Sequence, residues 1–289
     1  MIGPARLASL HGLPFTKMTG SGNDFVFFDG RHVPISAVVT PEAIRAICHR
    51  RNGIGADGLV VLEGAQPVAD VRIHYFNSDG TPADLCGNAT LCSTALSAAL
   101  GLATDSGMTL STPAGLISSR LSAGFPEIVL QPVTDMRPSM PVSLGAGERA
   151  VGFATAGIPH LVILCDDADA IEVNGRGPDL RHHAATGPAG ANVNWVSPLP
   201  GGNWRYRTFE RGVEGETLAC GTGAVATAVL LVAWGLAAPA TVIIRTSSGR
   251  NLSVSLEALA DGTPGFRPTL RGEGRVVCHG TIDHIVAAD

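Results

Sequence analysis

Apolar and polar positions along the chain change period repeatedly. Short β-branched runs such as 71–76 (Val-Arg-Ile-His-Tyr-Phe) alternate with Gly, Asn and Asp turns, which predicts strands joined by tight connections. Two segments break the pattern. Near 88–100 and 222–234, small and apolar residues cover the whole helical circumference, which predicts one buried helix in each half. Further helices are predicted near 41–51 and 167–173. The uncharged stretch 217–244 is interrupted by Gly221, Gly223, Gly235 and Pro239. Its continuous apolar part, 224–234, is too short to cross a bilayer, so it predicts a buried helix followed by a strand at 241–244.

The two apolar helices belong to an internal repeat. Cys86-Gly87-Asn88-Ala89-Thr90 parallels Cys220-Gly221-Thr222-Gly223-Ala224. Each segment ends in Gly-Leu (Gly101-Leu102, Gly235-Leu236) and leads through a β-like run to a Thr/Gly turn (Thr112/Gly115, Thr246/Gly249). The landmarks keep one spacing of 134 residues (86 to 220, 102 to 236, 115 to 249). Weaker echoes precede them: Gly55-Ala56-Asp57 with Gly190-Ala191-Asn192, and the segment from Gly22 with that from Gly157. Two copies of one unit are therefore expected. The borders are placed at 13–135 with 276–289 returning to it, and at 136–275, with the proline-bearing stretch 131–141 as the connection. The fold class is α+β with much antiparallel sheet. No Gly-rich nucleotide-binding signature lies between a strand and a helix.

Composition narrows the function. The 289 residues are 45% hydrophobic and 16% charged, enough for a sizeable core. A net charge of −5 argues against nucleic acid or an anionic membrane surface as partner. There is one lysine, Lys17, against nineteen arginines, so pyridoxal-phosphate chemistry would have to rest on that single amine. The start, Met1 to Arg6, lacks a basic stretch followed by an apolar run, so no export signal is expected. None of the six cysteines forms a C-x-x-C pair and no histidine pair completes a zinc pattern, which predicts a reduced cytoplasmic protein without a metal. His182-His183 reads as a loop pair rather than as ligands. Cys48, Cys92, Cys165 and Cys278 sit in apolar contexts and read as core.

Cys86 and Cys220 are different, because each opens a buried helix. Asn88 and Thr222 are expected to cap those helices, and Gly87 and Gly221 to let a ligand approach the backbone. Amides and the helix dipole at an N-terminus favour an anion, and the same field should draw a thiol pKa towards neutrality. Each repeat thus offers a carboxylate cradle with a thiolate beside it. Two such sites facing one another suit inversion of a carbon centre, where a base serves one face of a planar carbanion and an acid the other. The residues alone fit this, and also fit a thiol redox or carboxylate-binding protein.

Five motifs decide the family. Residues 17–25 (KMTGSGNDF), 53–59 (GIGADGL), 76–88 (FNSDGTPADLCGN), 190–196 (GANVNWV) and 209–224 (FERGVEGETLACGTGA) resemble the diaminopimelate epimerases from about residue 13 to the C-terminus. The resemblance implies two pseudo-symmetric units, each a curved, mostly antiparallel sheet around a central buried helix, with the last strand (275–282) returning to the first unit. It implies a cofactor-independent epimerisation of LL-2,6-diaminopimelate to the meso form, serving lysine and peptidoglycan synthesis, or racemisation of another amino acid on the same fold. By resemblance Cys86 and Cys220 are the acid/base pair. Gly87, Asn88, Gly221 and Thr222 hold the reacting carboxylate. Asn23, Asn77, Asn192, Glu210 and Arg211 bind the rest of the amino acid substrate, and His160 and Glu210 tune the cysteines. Three places depart from the family pattern: Ile158 where an asparagine is usual, Gly58 where some members carry glutamine, and Ala89-Thr90-Leu91 in place of Gly-Ala-Arg. The oligomeric state stays open, a homodimer among the options.

Overall fold

The computed structural model describes residues 7–83 and 85–286. Met1–Arg6, on which the expectation of no export signal rests, and 287–289 lie outside them. The chain forms two compact units. One runs to Ile128 and takes up the segment from Glu273; the other is Val129–Gly272. The borders expected from the sequence, 135/136 and 275/276, lie a few residues further on. The proline-bearing stretch 131–141 lies with the second unit, where Val133 exchanges backbone hydrogen bonds with Phe266.

In the first unit Pro14–Gly20 and Asn23–Asp29 form an antiparallel pair, with Arg275–Thr281 against the outer side of Pro14–Gly20. Asn23–Asp29 then pairs in parallel with Gly58–Gln66, across a crossover that carries the helix Pro41–Cys48. Gly58–Gln66 is antiparallel to Ala69–Asn77, which is parallel to Met108–Thr112 across the helix Gly87–Ala99, and Met108–Thr112 is antiparallel to Gly115–Ser122.

The second unit repeats this alternation strand for strand. Glu148–Ala156 and Ile158–Cys165 are antiparallel, and Ile158–Cys165 is parallel to Asn192–Pro198. Asn192–Pro198 is antiparallel to Trp204–Glu210, which is parallel to Thr241–Arg245 across the helix Gly221–Ala233, and Thr241–Arg245 is antiparallel to Asn251–Ala258. Register repeats as well. Phe25 opposite Gly58 corresponds to His160 opposite Asn192, and Val71 opposite Leu110 to Trp204 opposite Ile244, so the structural counterpart of Asn192 is Gly58, one residue beyond the Asp57 that the sequence echo sets against it.

The two central helices have matching ends. Cys86 (φ −131°, ψ 116°) and Cys220 (φ −131°, ψ 113°) are the N-cap residues, and neither helix has a side-chain cap. The expected caps, Asn88 and Thr222, stand two residues inside the N-cap. At the other end Gly101 (φ 64°) and Gly235 (φ 71°) adopt the left-handed conformation. Leu102 N–H donates to the Ser97 carbonyl and Leu236 N–H to that of Leu231, while Gly101 and Gly235 donate to Ala98 and Val232. Both are Schellman stops, which is why Gly-Leu recurs in the repeat. The first helix is buried although it carries hydroxyls, because Thr90, Ser93 and Thr94 each donate to the carbonyl four residues back (2.8–2.9 Å).

Besides the caps, two further sequence expectations are corrected by the structure. The segment 167–173 holds a short 3-10 turn, Ala168–Ala170, because the Asp167 carboxylate accepts from the Asp169 amide at 2.9 Å and turns the chain there; the α-helix follows as Val173–Arg181. Cys278 is exposed, because most side chains of the strand Arg275–Thr281 face outward despite its apolar sequence. Cys48, Cys92 and Cys165 are buried as expected.

Candidate active site

In the first unit the central helix begins at half-buried Cys86, followed by Gly87 and Asn88. Asn88 Nδ2 donates to Asn23 Oδ1 at 2.5 Å, and Asn88 Oδ1 is buried with no hydrogen-bond partner. Asn23 is held from behind, its Nδ2 donating to Asp57 Oδ2 at 3.2 Å. Asp57 belongs to an ion cluster in which Arg50 bridges it to Asp24 (2.5 and 2.8 Å) and Lys17 pairs with Asp24 at 2.7 Å. Burial alone would raise the Asp24 pKa, but hydrogen bonds from Arg50 and Lys17 and their charges hold it at about 2. The chain's only lysine is thus committed to an ion pair. Asn77 lies at the end of the next strand, opposite Gly58, its Nδ2 donating to Thr81 Oγ1 at 3.1 Å. A Cβ at Gly58 would lie 2.7 Å from the Phe76 carbonyl and from Tyr75 Cε2, so a larger residue there requires the neighbouring strand to shift.

In the second unit the sequence-predicted residues converge on one helix N-terminus. Asn192 Nδ2 donates to Cys220 Sγ at 3.7 Å, and its Oδ1 accepts the Arg211 backbone N–H at 2.9 Å. Thr222 Oγ1 stands 3.5 Å from Cys220 Sγ. Glu210 hydrogen-bonds the same thiol and accepts from the Thr217 hydroxyl. His160 is fully buried opposite Asn192.

The expected lowering of thiol pKa is overturned at Cys220. Burial pushes the thiol well above its ordinary value and the Glu210 carboxylate adds to this; the Thr222 hydroxyl and the Gly223 amide pull it down by less. The Gly223 amide at the start of the helix favours the thiolate, but Cys220 is only 6% exposed and desolvation outweighs that amide. His160 is driven the other way, to a pKa of about 3, by burial and by the Arg211 charge.

Three polar residues of this site escaped the sequence reading. Tyr206 Oη donates to Asn194 Oδ1 at 2.7 Å and Thr208 Oγ1 to the same oxygen at 2.9 Å. Asn194 Nδ2 donates to the Leu161 carbonyl at 2.8 Å and faces His160 Nδ1 at 3.3 Å. The signal was alternation: Asn192 and Asn194 share one face of their strand, as do Tyr206, Thr208 and Glu210 of the next. Gly223 is bare for the same reason, since a Cβ there would lie 2.1 Å from Tyr206 Oη and 2.5 Å from Asn194 Oδ1. His182 and His183 serve as helix boundaries, with His183 Nδ1 accepting from the Ala185 amide. Among the described residues, no group of three or more His, Cys, Asp or Glu is placed to hold a metal ion, and no helix is long and apolar enough to cross a membrane.

Known proteins match the chain over most of its length in sequence or in fold. Among curated relatives, the diaminopimelate epimerase of Gemmatimonas aurantiaca is 70% identical over 275 residues, covering 93% of this chain and 99% of its own length. That of Aquifex aeolicus is 34% identical over 250 residues, 84% and 89% of the two chains. Among solved structures, a hydroxyproline epimerase from Agrobacterium vitis superposes with a TM-score of 0.65 at 19% identity, covering 96% of this chain and 93% of its own. A phenazine biosynthesis protein of the PhzF family from Bacillus anthracis gives 0.70 at 12% identity, covering 93% and 98%. These two share the fold. The family model described as diaminopimelate epimerase matches residues 15–131 and 152–261, and with relatives of such identity and coverage the chain belongs to the diaminopimelate epimerase family.

Proposed function

We propose that this chain interconverts LL- and meso-2,6-diaminopimelate without a cofactor, with Cys86 and Cys220 as the two acid/base groups. One sulfur, as thiolate, takes the α-hydrogen as a proton; the resulting planar carbanion takes a proton from the other thiol on its opposite face. The stereocentre is inverted and the roles of the two sulfurs are exchanged, so the reverse reaction uses the same groups. Charge grows on the carboxylate beside the reacting carbon, and backbone amides at a helix N-terminus favour it there. Gly87 and Asn88, with Gly221 and Thr222, carry those amides. Asn23, Asn77, Asn192 and Arg211 bind the remainder of the substrate, Arg211 gripping the distal carboxylate through its planar fork. His160 and Glu210 set the electrostatics around Cys220.

The observation that carries this reading is the pair of cysteine N-caps with the same backbone angles on equivalent helices. A structural cysteine has no reason to recur at an N-cap, where side-chain oxygens are preferred. The test is α-hydrogen exchange in deuterated water, followed by NMR for LL- and meso-diaminopimelate, proline, glutamate and alanine, with chelator and no added cofactor. Exchange and interconversion confined to diaminopimelate are expected. Exchange of a monocarboxylic amino acid alone would make the chain a racemase of another substrate. No exchange with any of them would leave a thiol- or carboxylate-binding protein.

A further inference from the structure

On the functional reading above, we propose that Asn194 is a positioning residue, which locks His160 as its Nε2–H tautomer and thereby presents a buried N–H donor to a carboxylate ligand of the Cys220 site.

The assignment follows from hydrogen-bond complementarity. The Leu161 carbonyl can only accept, so the Asn194 atom 2.8 Å from it is the amide nitrogen. The opposite atom is then the amide oxygen, and it takes the Tyr206 and Thr208 hydroxyls. The second hydrogen on Nδ2 is directed at His160 Nδ1, 3.3 Å away, which must accept it. A neutral imidazole has one donor and one acceptor, so the His160 proton is on Nε2. Burial and the neighbouring Arg211 charge keep the ring neutral.

Nε2 is buried and has no hydrogen-bond partner. Buried donors are normally paired, and an unpaired one in a folded protein is unfavourable unless a ligand completes it. His160 lies opposite Asn192, whose side chain touches Cys220, on the strand face that holds the Asn194 network. An N–H needs an acceptor, and on the functional reading the acceptor that the substrate brings to this site is a carboxylate oxygen. The first unit has no counterpart, since Phe25 stands at the position of His160 and Phe25 packs edge-on against Tyr75. The device therefore belongs to the Cys220 side alone.

Nitrogen-15 NMR of histidine-labelled protein reads the tautomer directly. The chain has nine histidines, and the spectrum of His160→Gln identifies the signal. In the wild type Nδ1 should be unprotonated and Nε2 protonated. Asn194→Asp keeps the size and the two hydroxyl partners but offers Nδ1 only acceptors. It should invert the tautomer and lower kcat at least tenfold while KM stays within about threefold. Either a wild-type Nδ1–H tautomer or an Asn194→Asp protein with unchanged tautomer would overturn the proposal, the former without relying on a variant that must fold. An inverted tautomer with unchanged kcat would also overturn it. If the wild type fails to epimerise at all, the functional reading falls, and the tautomer lock is then judged on the NMR signal alone.

Discussion

Cys86 and Cys220 share a backbone position but differ in environment. Cys86 is half-buried, whereas Cys220 is 6% exposed and its thiol is pushed up by burial and Glu210. Thiolate, not thiol, reacts with alkylating agents. In a Cys278→Ser background, which removes the exposed thiol, iodoacetamide at pH 7 should label Cys86 before Cys220. Labelling of Cys220 should accelerate as the pH is raised. Peptide mapping checks the order, and faster labelling of Cys220 would contradict the account. Asp24 makes a second residue-scale prediction. Its folded pKa of about 2 lies below its ordinary 3.8, so its contribution is complete above pH 4 and is lost as the pH falls towards 2. The size is about 2 kcal/mol. Asp24→Asn should lower the urea midpoint at pH 7 and flatten its decline between pH 4 and 2. An unchanged acid limb would show that the ion cluster does not stabilise the first unit.

At the scale of elements, the difference between Cys-Gly-Asn-Ala and Cys-Gly-Thr-Gly has a packing cause. Ala89 and Gly223 occupy equivalent helix positions, but only Gly223 is pressed by a phenol and an amide, those of Tyr206 and Asn194. Gly223→Ala should therefore displace that network, destabilising the protein by about 1–3 kcal/mol, the usual range for overpacking. It should also reduce turnover, as measured by urea unfolding and epimerase assay. A fully stable, fully active variant would mean the network is softer than its geometry. Both central helices were legible in the sequence to within a residue, since an all-round apolar segment between an N-terminal signal and Gly-Leu leaves little freedom. The start of the helix Pro41–Cys48 was also legible, with Thr40 capping and Pro41 at its first position, but the helix ends three residues before the expected 51. The helix Val173–Arg181 was not, because Gly175, Gly177 and Pro178 disguise it.

For the molecule as a whole, the repeat was legible from landmarks a constant 134 residues apart, and strand order, parallel and antiparallel alternation and register recur with it. What the repeat hid was chemical asymmetry. Where the first unit has Phe25 and Gly58, the second has His160 and Asn192, so one cysteine is surrounded by a buried polar network. Spacing between landmarks cannot reveal this, and neither can it reveal that burial overrides the helix field at Cys220. The ion cluster behind Asn23 was likewise unread, as Lys17, Arg50 and Asp57 meet only through the fold. The central claim remains that inversion needs one sulfur from each unit. The most direct measurement is kcat for LL- to meso-diaminopimelate conversion in wild type, Cys86→Ala and Cys220→Ala, with folding confirmed by circular dichroism. The account predicts that each single variant is folded and has lost epimerisation by a thousandfold or more; either variant turning over within tenfold of wild type would contradict it.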